Sequence, residues 1–371
     1  MKKIFGLLAC TALFMAGTMS AEAALPLTTN ADGPAYAMTK QLLDERGQKA
    51  NLIFSPYSLQ QMMPLIRDNT TAKTVRAELL PYSVPGIRTE QLLNTKTGEL
   101  ILLDKSLAPE YTKQASGDIR LVDYPEEALK EKKDFQMRIL DSVIDGDAPA
   151  GNLTFLTAAH YYAEWATKFD KHLTRQRSFT DGNGDKRTVL TMKKHFKNGI
   201  GKLTKEYDMA AVDGKNQSVV YFIKPKVDAG VTAGHLEQIV SDFENGVGTV
   251  SNIDLEVPKI SLKNKLDLKP LLKEMGLTSF FDGRLCFDKI TGSVPYVLAN
   301  ASQTATLDVN EDYAEGKAVT EIGFCTTSLA PEPIIYPIKM DRPYFIVIKD
   351  QTKEGVQRVV FTAWISQPEA K

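Results

Sequence analysis

The chain is poor in the residues from which most recognisable sites are built. Its 371 residues include only three Cys, two Trp and four His. Three cysteines cannot staple a chain of this length, so a disulfide scaffold is excluded. The histidines His160, His172, His195 and His235 are scattered, with no i,i+4 pair and no cysteine at zinc spacing, and no metal site is expected. Charge of one sign is also missing. The 45 Lys and Arg stand against 46 Asp and Glu, which leaves no field for a polyphosphate and argues against nucleic acid as a partner. No internal run approaches the ~20 apolar residues that span a bilayer, so a soluble chain is expected. There is no G-x-S-x-G elbow, Walker loop or metalloprotease motif, and nothing calls for a cofactor. An exported hydrolase would have to assemble a Ser/His/Asp cluster from distant residues, around His160 or His195.

What is present begins with a leader-like segment. Lys2 and Lys3 precede an apolar run from Ile4 to Gly17, and small residues lead to Ala21-Glu22-Ala23. That layout predicts a signal peptide over residues 1–23, cleaved after Ala23, and an exported protein, secreted or periplasmic. Leu7-Leu8-Ala9-Cys10 also resembles a lipobox, but the apolar run continues well past Cys10. After cleavage Cys286 and Cys325 remain, either as one bridge or, as read here, as two free thiols, one buried and one in a loop.

Periodicity places helices in the first third and strands after it. Ser55 and Pro56 open a helix to Arg67, with Ser as cap and Pro at the first position. Further helices are expected over 71–80, over Glu126–Ile144 as a charged amphipathic element, and over 267–275. Strands are expected over 51–54, 100–104, 119–122, 152–162 (apolar and of central type), 189–192, 195–203, 219–223, 253–261, 296–310, 344–348 and 359–366. Pro258 weakens or bends one of them. Asp181-Gly-Asn-Gly-Asp185 lacks the Gly and Glu of a calcium loop at its sixth and twelfth places and reads as a hairpin turn. No linker divides the chain, and one interlocked α+β domain over 24–371 fits better than two.

Several segments in a shared order carry a resemblance. Asn51-Leu-Ile-Phe-Ser-Pro-Tyr-Ser-Leu59, Leu156-Thr-Ala-Ala-His-Tyr-Tyr-Ala-Glu-Trp165 and Val257-Pro-Lys-Ile260 come first. Leu272-Lys-Glu-Met-Gly-Leu-Thr-Ser-Phe-Phe281, Leu307-Asp-Val-Asn-Glu311, Arg342-Pro-Tyr-Phe345 and Phe361-Thr-Ala-Trp-Ile365 follow. Together they resemble the serpins, over essentially the whole chain after residue 23. The resemblance implies three β-sheets, about eight or nine helices and a reactive-centre loop over about 311–335. It also implies a suicide protease inhibitor and no enzyme. A cleaved loop would enter the main sheet as a new strand, from a native state that is only kinetically trapped. A non-inhibitory binding or chaperone-like serpin is the alternative.

The loop itself can be read for that task. The hinge runs Glu311, Asp312, Tyr313, Ala314, Glu315, Gly316, Lys317, Ala318, Val319, Thr320. Side chains alternate in a strand. Ala314, Gly316, Ala318, Thr320, Ile322, Phe324 and Thr326 form an uncharged set, while Glu315, Lys317 and Glu321 share the other parity. The first set could be buried without burying a charge. Against the family's inhibitors, Tyr313 replaces a Gly, Ala314 a Thr, and Lys317 interrupts a run of Ala. Counting seventeen places from Glu311 puts the reactive bond at Thr327-Ser328; counting back from Arg342-Pro343 gives Glu332. Thr327 would suit elastase-like or subtilisin-like serine endopeptidases, and Cys325 leaves a cysteine protease as a second option. Trp165 corresponds to the breach at which the loop enters the sheet, Lys259 and Glu311 to a salt bridge beside it, and Thr157 and Gln303 to a gating Asn and His. A monomer is expected.

Overall fold

The computed structural model describes residues 32–107, 114–312 and 334–368. The signal segment, Cys10, Cys325, the Thr327-Ser328 bond, Glu332 and the hinge from Tyr313 to Thr320 lie outside these residues.

The chain opens with α1 (Gly33–Arg46), β1 (Leu52–Phe54), α2 (Pro56–Asp68) and α3 (Lys73–Leu79). It continues through β2 (Thr95–Asp104), β3 (Ile119–Val122), α4 (Glu126–Leu140) and β4 (Leu153–Tyr161). A strand-rich stretch follows: β5 (Arg175–Thr180), β6 (Lys186–Leu203), β7 (Tyr207–Asp213) and β8 (Val219–Pro225). Then come α5 (Leu236–Glu244), β9 (Val250–Pro258), β10 (Ile260–Asp267), α6 (Lys269–Glu274), β11 (Leu285–Cys286) and α7 (Asp288–Thr291). The last elements are β12 (Pro295–Tyr296), β13 (Ser302–Val309), β14 (Tyr336–Lys339), β15 (Tyr344–Gln351) and β16 (Gln357–Ile365).

One large sheet runs β1-β16-β15-β8-β7-β6-β9-β14, with β5 paired to β6 at its side. Its centre is apolar on both faces. Phe222, Phe345, Ile346, Val347 and Ile365 are almost wholly buried, which is why β8, β15 and β16 read as near-continuous hydrophobic runs. The other ladders are the three-stranded β3-β2-β4, the pair β10-β13 and the short pair β11-β12. The mixed α+β architecture expected from the sequence is present, with seven α-helices among the described residues.

The helix at Pro56 begins as its sequence dictates, with Ser55 Oγ accepting from the Ser58 N–H at 3.3 Å and Pro at the first position. α4 is shorter than periodicity suggested. It ends at Leu140 rather than Ile144, because Asp141 turns left-handed (φ 56°). The Gln136 side chain then accepts from the N–H groups of Ile144 and Asp145. The two strands expected at 189–192 and 195–203 are one strand, β6, interrupted only by an irregularity between Phe196 and Ile200. The strand expected over 253–261 is two. Pro258 closes β9, and after Lys259 the chain resumes as β10 in a different ladder. The expected 296–310 strand is realised over 302–309, with Tyr296 in the separate short β12, and the 100–104 strand extends back to Thr95. Asp181 makes the hairpin turn between β5 and β6, its Oδ1 accepting from the N–H of Asn183 and of Asp185.

Candidate functional site

The sequence places β4 at the centre of a sheet, and the structure pairs it on one side only. β2 lies antiparallel along one edge of β4, from Thr95 opposite Tyr161 to Leu103 opposite Leu153. On the other edge no strand is paired among the described residues. β13 is in the same position: β10 holds one edge, from Ile260 opposite Val309 to Asp267 opposite Ser302, and among the described residues the other edge has no strand partner. The two free edges line one cavity of about 400 Å³, bordered by residues 155–163 of the β4 side and 302–309 of β13. Leu59 and Met62 of α2 contribute to its lining from one side, and Phe135, Gln136 and Leu140 of α4 from the other.

The ends of this slot are closed. At one end the Trp165 indole Nε1–H donates to the Asn310 carbonyl at 2.8 Å. Trp165 is 5 % exposed and edges onto Phe169. At the other end a methyl built on Gly151 would meet the Ala299 Cβ at 3.8 Å. Trp165 follows β4 and Asn310 follows β13, while Gly151 and Ala299 precede them. The two strands therefore run in the same direction, and a chain leaving β13 at Asp312 that turns back would run antiparallel to both. Eight residues of β13 at ~3.3 Å each offer an edge of roughly 26 Å.

Each border is tied separately to the first turn of α2. From β13, Gln303 Oε1 accepts from the Ser55 N–H at 2.7 Å and its Nε2 donates to the Ser55 carbonyl at 3.0 Å. From β4, the Thr157 hydroxyl donates to the Ser58 carbonyl at 2.9 Å and lies 3.1 Å from the Ser58 hydroxyl. The two residues singled out as a gate thus converge on one anchor rather than on each other. The sequence did not point to Ser55 and Ser58 as their partners. Ser55 was read only as the helix cap, a role it also fills, its Oγ accepting from the Ser58 N–H.

At the Trp165 end, Glu311 is buried although Lys259 beside it is not. The Lys259 ammonium lies 2.9 Å from Glu311 Oε2, and the Thr174 hydroxyl donates to Oε1 at 2.7 Å. The expected salt bridge is formed. Its carboxylate is only 6 % exposed, so it is not the solvent-exposed pair whose worth is small. Burial by itself would raise the Glu311 pKa. The bonds from Thr174, Lys259 and its own backbone N–H outweigh that and hold it below the usual carboxylate range. Asp312 is paired with Lys171, and Lys168 stands 3.9 Å away. The last described residues before the loop are therefore pinned.

Neither histidine considered for hydrolysis is part of a triad. His195 Nδ1 lies 2.9 Å from Asp254, and His160 lies 3.6 Å from Asp141. Among the described residues no serine hydroxyl bonds either ring. Cys286 is a free, half-buried thiol.

Comparison with known proteins agrees with this geometry. A family model described as "Serpin (serine protease inhibitor)" matches residues 134–368. An "Uncharacterized serpin-like protein" of Methanosarcina mazei is 23 % identical over 91 % of this chain and 86 % of its own length. The structure of Arabidopsis AtSerpin1 in its "Native Stressed Conformation" superposes with a TM-score of 0.69 at 19 % identity, covering 90 % of this chain and 96 % of that one. Human thyroxine-binding globulin complexed with thyroxine gives 0.71 at 17 % identity, covering 91 % and 96 %.

Proposed function

The chain belongs to the serpin family, and from that premise we propose that it is a suicide-type inhibitor of serine endopeptidases. In this reading the segment following Asp312 is bait. Once a protease has cut and acylated it, the freed strand turns back and fills the slot between β4 and β13, carrying the protease with it. The observation that supports this most directly is the pair of strand edges, unpaired among the described residues, that face one cavity beside the end where Glu311 leads into the loop. Unpaired backbone groups next to a buried space are costly to leave unmet, and an extra strand meets those on both sides at once. Each new ladder bond contributes ~1 kcal/mol, so even a partly filled slot stabilises the cleaved form by several kcal/mol. The uncharged parity from Ala314 to Thr326 supplies side chains that can be buried there.

Thr327-Ser328 is the bond proposed for attack, which suits elastase-like or subtilisin-like enzymes. An exported location accords with such targets. The departures at Tyr313, Ala314 and Lys317 favour a second reading, a serpin-fold binding protein that is cut without inserting its loop. Incubation with elastase or subtilisin, followed by denaturing electrophoresis and melting of the nicked product, separates the two. Inhibition requires an SDS-resistant complex and a large rise in Tm after nicking. Release of active protease with an unchanged Tm establishes the binding protein instead.

A further inference from the structure

The slot is roofed by a segment that is bound to both of its sides. α4 belongs to the β2-β4 side: Phe135 and Ile139 pack in one cluster with Leu100, Leu102 and Ala158. The chain leaving α4 then crosses towards the other ladder. Asp145 sits between two ammonium groups, Lys132 of α4 at 2.9 Å and Lys265 of β10 at 3.3 Å. Lys265 also pairs with Asp147 at 2.5 Å, while Lys132 donates to the Asp147 carbonyl at 2.9 Å. Gln136, only 6 % exposed, closes the arrangement by donating to the Asp145 carbonyl at 2.7 Å. Lys132, Gln136, Ile144 and Asp145 all line the slot cavity. Lys265 stands opposite Thr304 of β13, which lines it too.

We propose that Lys132, Asp145, Asp147 and Lys265 form an ionic clasp across the slot whose opening sets the rate at which a strand can enter. A new strand places every second side chain on the α4 side. The space for those side chains is now bordered by α4 and residues 144–145, so the roof must lift away from β10. Lifting separates Lys265 from both carboxylates. Asp145 is largely buried and keeps Lys132 but loses its second ammonium before water reaches it, which is the part of the motion that resists. This deepens the reading of loop insertion and rests on it.

The test uses the full chain, nicked with subtilisin, and follows the growth of the heat-stable form with time in wild type, Lys265→Ala, Asp147→Asn and Lys265→Arg. Lys265 and Asp147 are partly exposed, so melting of the intact variants should match wild type closely. Insertion is expected to be about fivefold faster in Lys265→Ala, as for loss of a tie of ordinary ion-pair strength. Asp147→Asn should fall between, and Lys265→Arg close to wild type. Raising salt should accelerate wild type and leave Lys265→Ala almost unchanged. Equal rates in a wild type that does insert overturn the clasp and leave the inhibitor reading intact. Insertion by Lys265→Ala but not by wild type supports the clasp in its strongest form. Insertion by neither variant overturns both.

Discussion

Gln303 and Ser55 exchange a closed pair of hydrogen bonds, 2.7 Å from the Ser55 N–H to Oε1 and 3.0 Å from Nε2 to the Ser55 carbonyl. A side chain on β13 thereby acts as a strand partner for the residue that caps α2. This ties the free-edged ladder to the helix beneath it, 248 positions away in sequence.

Replacing that amide exposes its value. Ser55 is buried, and in Gln303→Ala its N–H loses its partner while its carbonyl keeps only the long 3.5 Å bond from the Leu59 N–H. Each buried polar group left unmet costs about 1–3 kcal/mol. Gln303→Ala is expected to lower stability by roughly 2–4 kcal/mol in urea unfolding, with Gln303→Glu only partly restoring it, since a carboxylate cannot donate to the carbonyl. A loss below about 0.5 kcal/mol would mean that the pair is idle.

Glu311 makes the hinge sensitive to acid. Its pKa is lowered in the folded protein, so its stabilising contribution is complete above the unfolded value of ~4.3 and fades as pH falls through the lower folded one. Melting curves of wild type and Glu311→Gln should differ at pH 7, by about 1–2 kcal/mol for charge-assisted bonds to Lys259 and Thr174. They should converge below pH ~4. Parallel curves down to pH 3 would remove Glu311 from the account.

Gly98 on β2 lies directly against α4. A Cβ there would lie 2.6 and 2.7 Å from two Ile139 side-chain carbons and 3.2 Å from the Phe135 ring. Gly98→Val is therefore expected to push α4 outward and cost about 1–3 kcal/mol. Faster proteolysis within residues 141–150 should accompany the loss, read by mass spectrometry of limited digests. An undisturbed digest would show that α4 can shift without loosening the roof.

Much of the molecule was legible in the chain because it is written in local chemistry. The cap and proline at Ser55-Pro56 set the start of α2, and the buried runs around Phe222 and Phe345 marked interior strands. Pro258 marked a weak or bent point in one expected strand, although not that the strand ends there and the next joins a different ladder. The segments from Asn51 to Ile365 carried the family resemblance in their order. α4 was overextended because an amphipathic pattern continues past a left-handed residue such as Asp141, whose conformation the pattern does not encode.

Side-chain periodicity states which face of a strand is buried; it carries no record of whether the lateral backbone edge has a partner, since N–H and C=O groups are the same in every residue. The sequence alone therefore indicated strands over 152–162 and 296–310, and the family resemblance in it placed Thr157, Gln303, Trp165, Lys259 and Glu311 near them. Only the tertiary structure decided that the edges of those strands face each other with no strand between them among the described residues, that Thr157 and Gln303 hold the same helical turn, and that Asp145 meets Lys265 from 120 positions away. Those contacts come from the packing of distant segments, for which no local pattern exists.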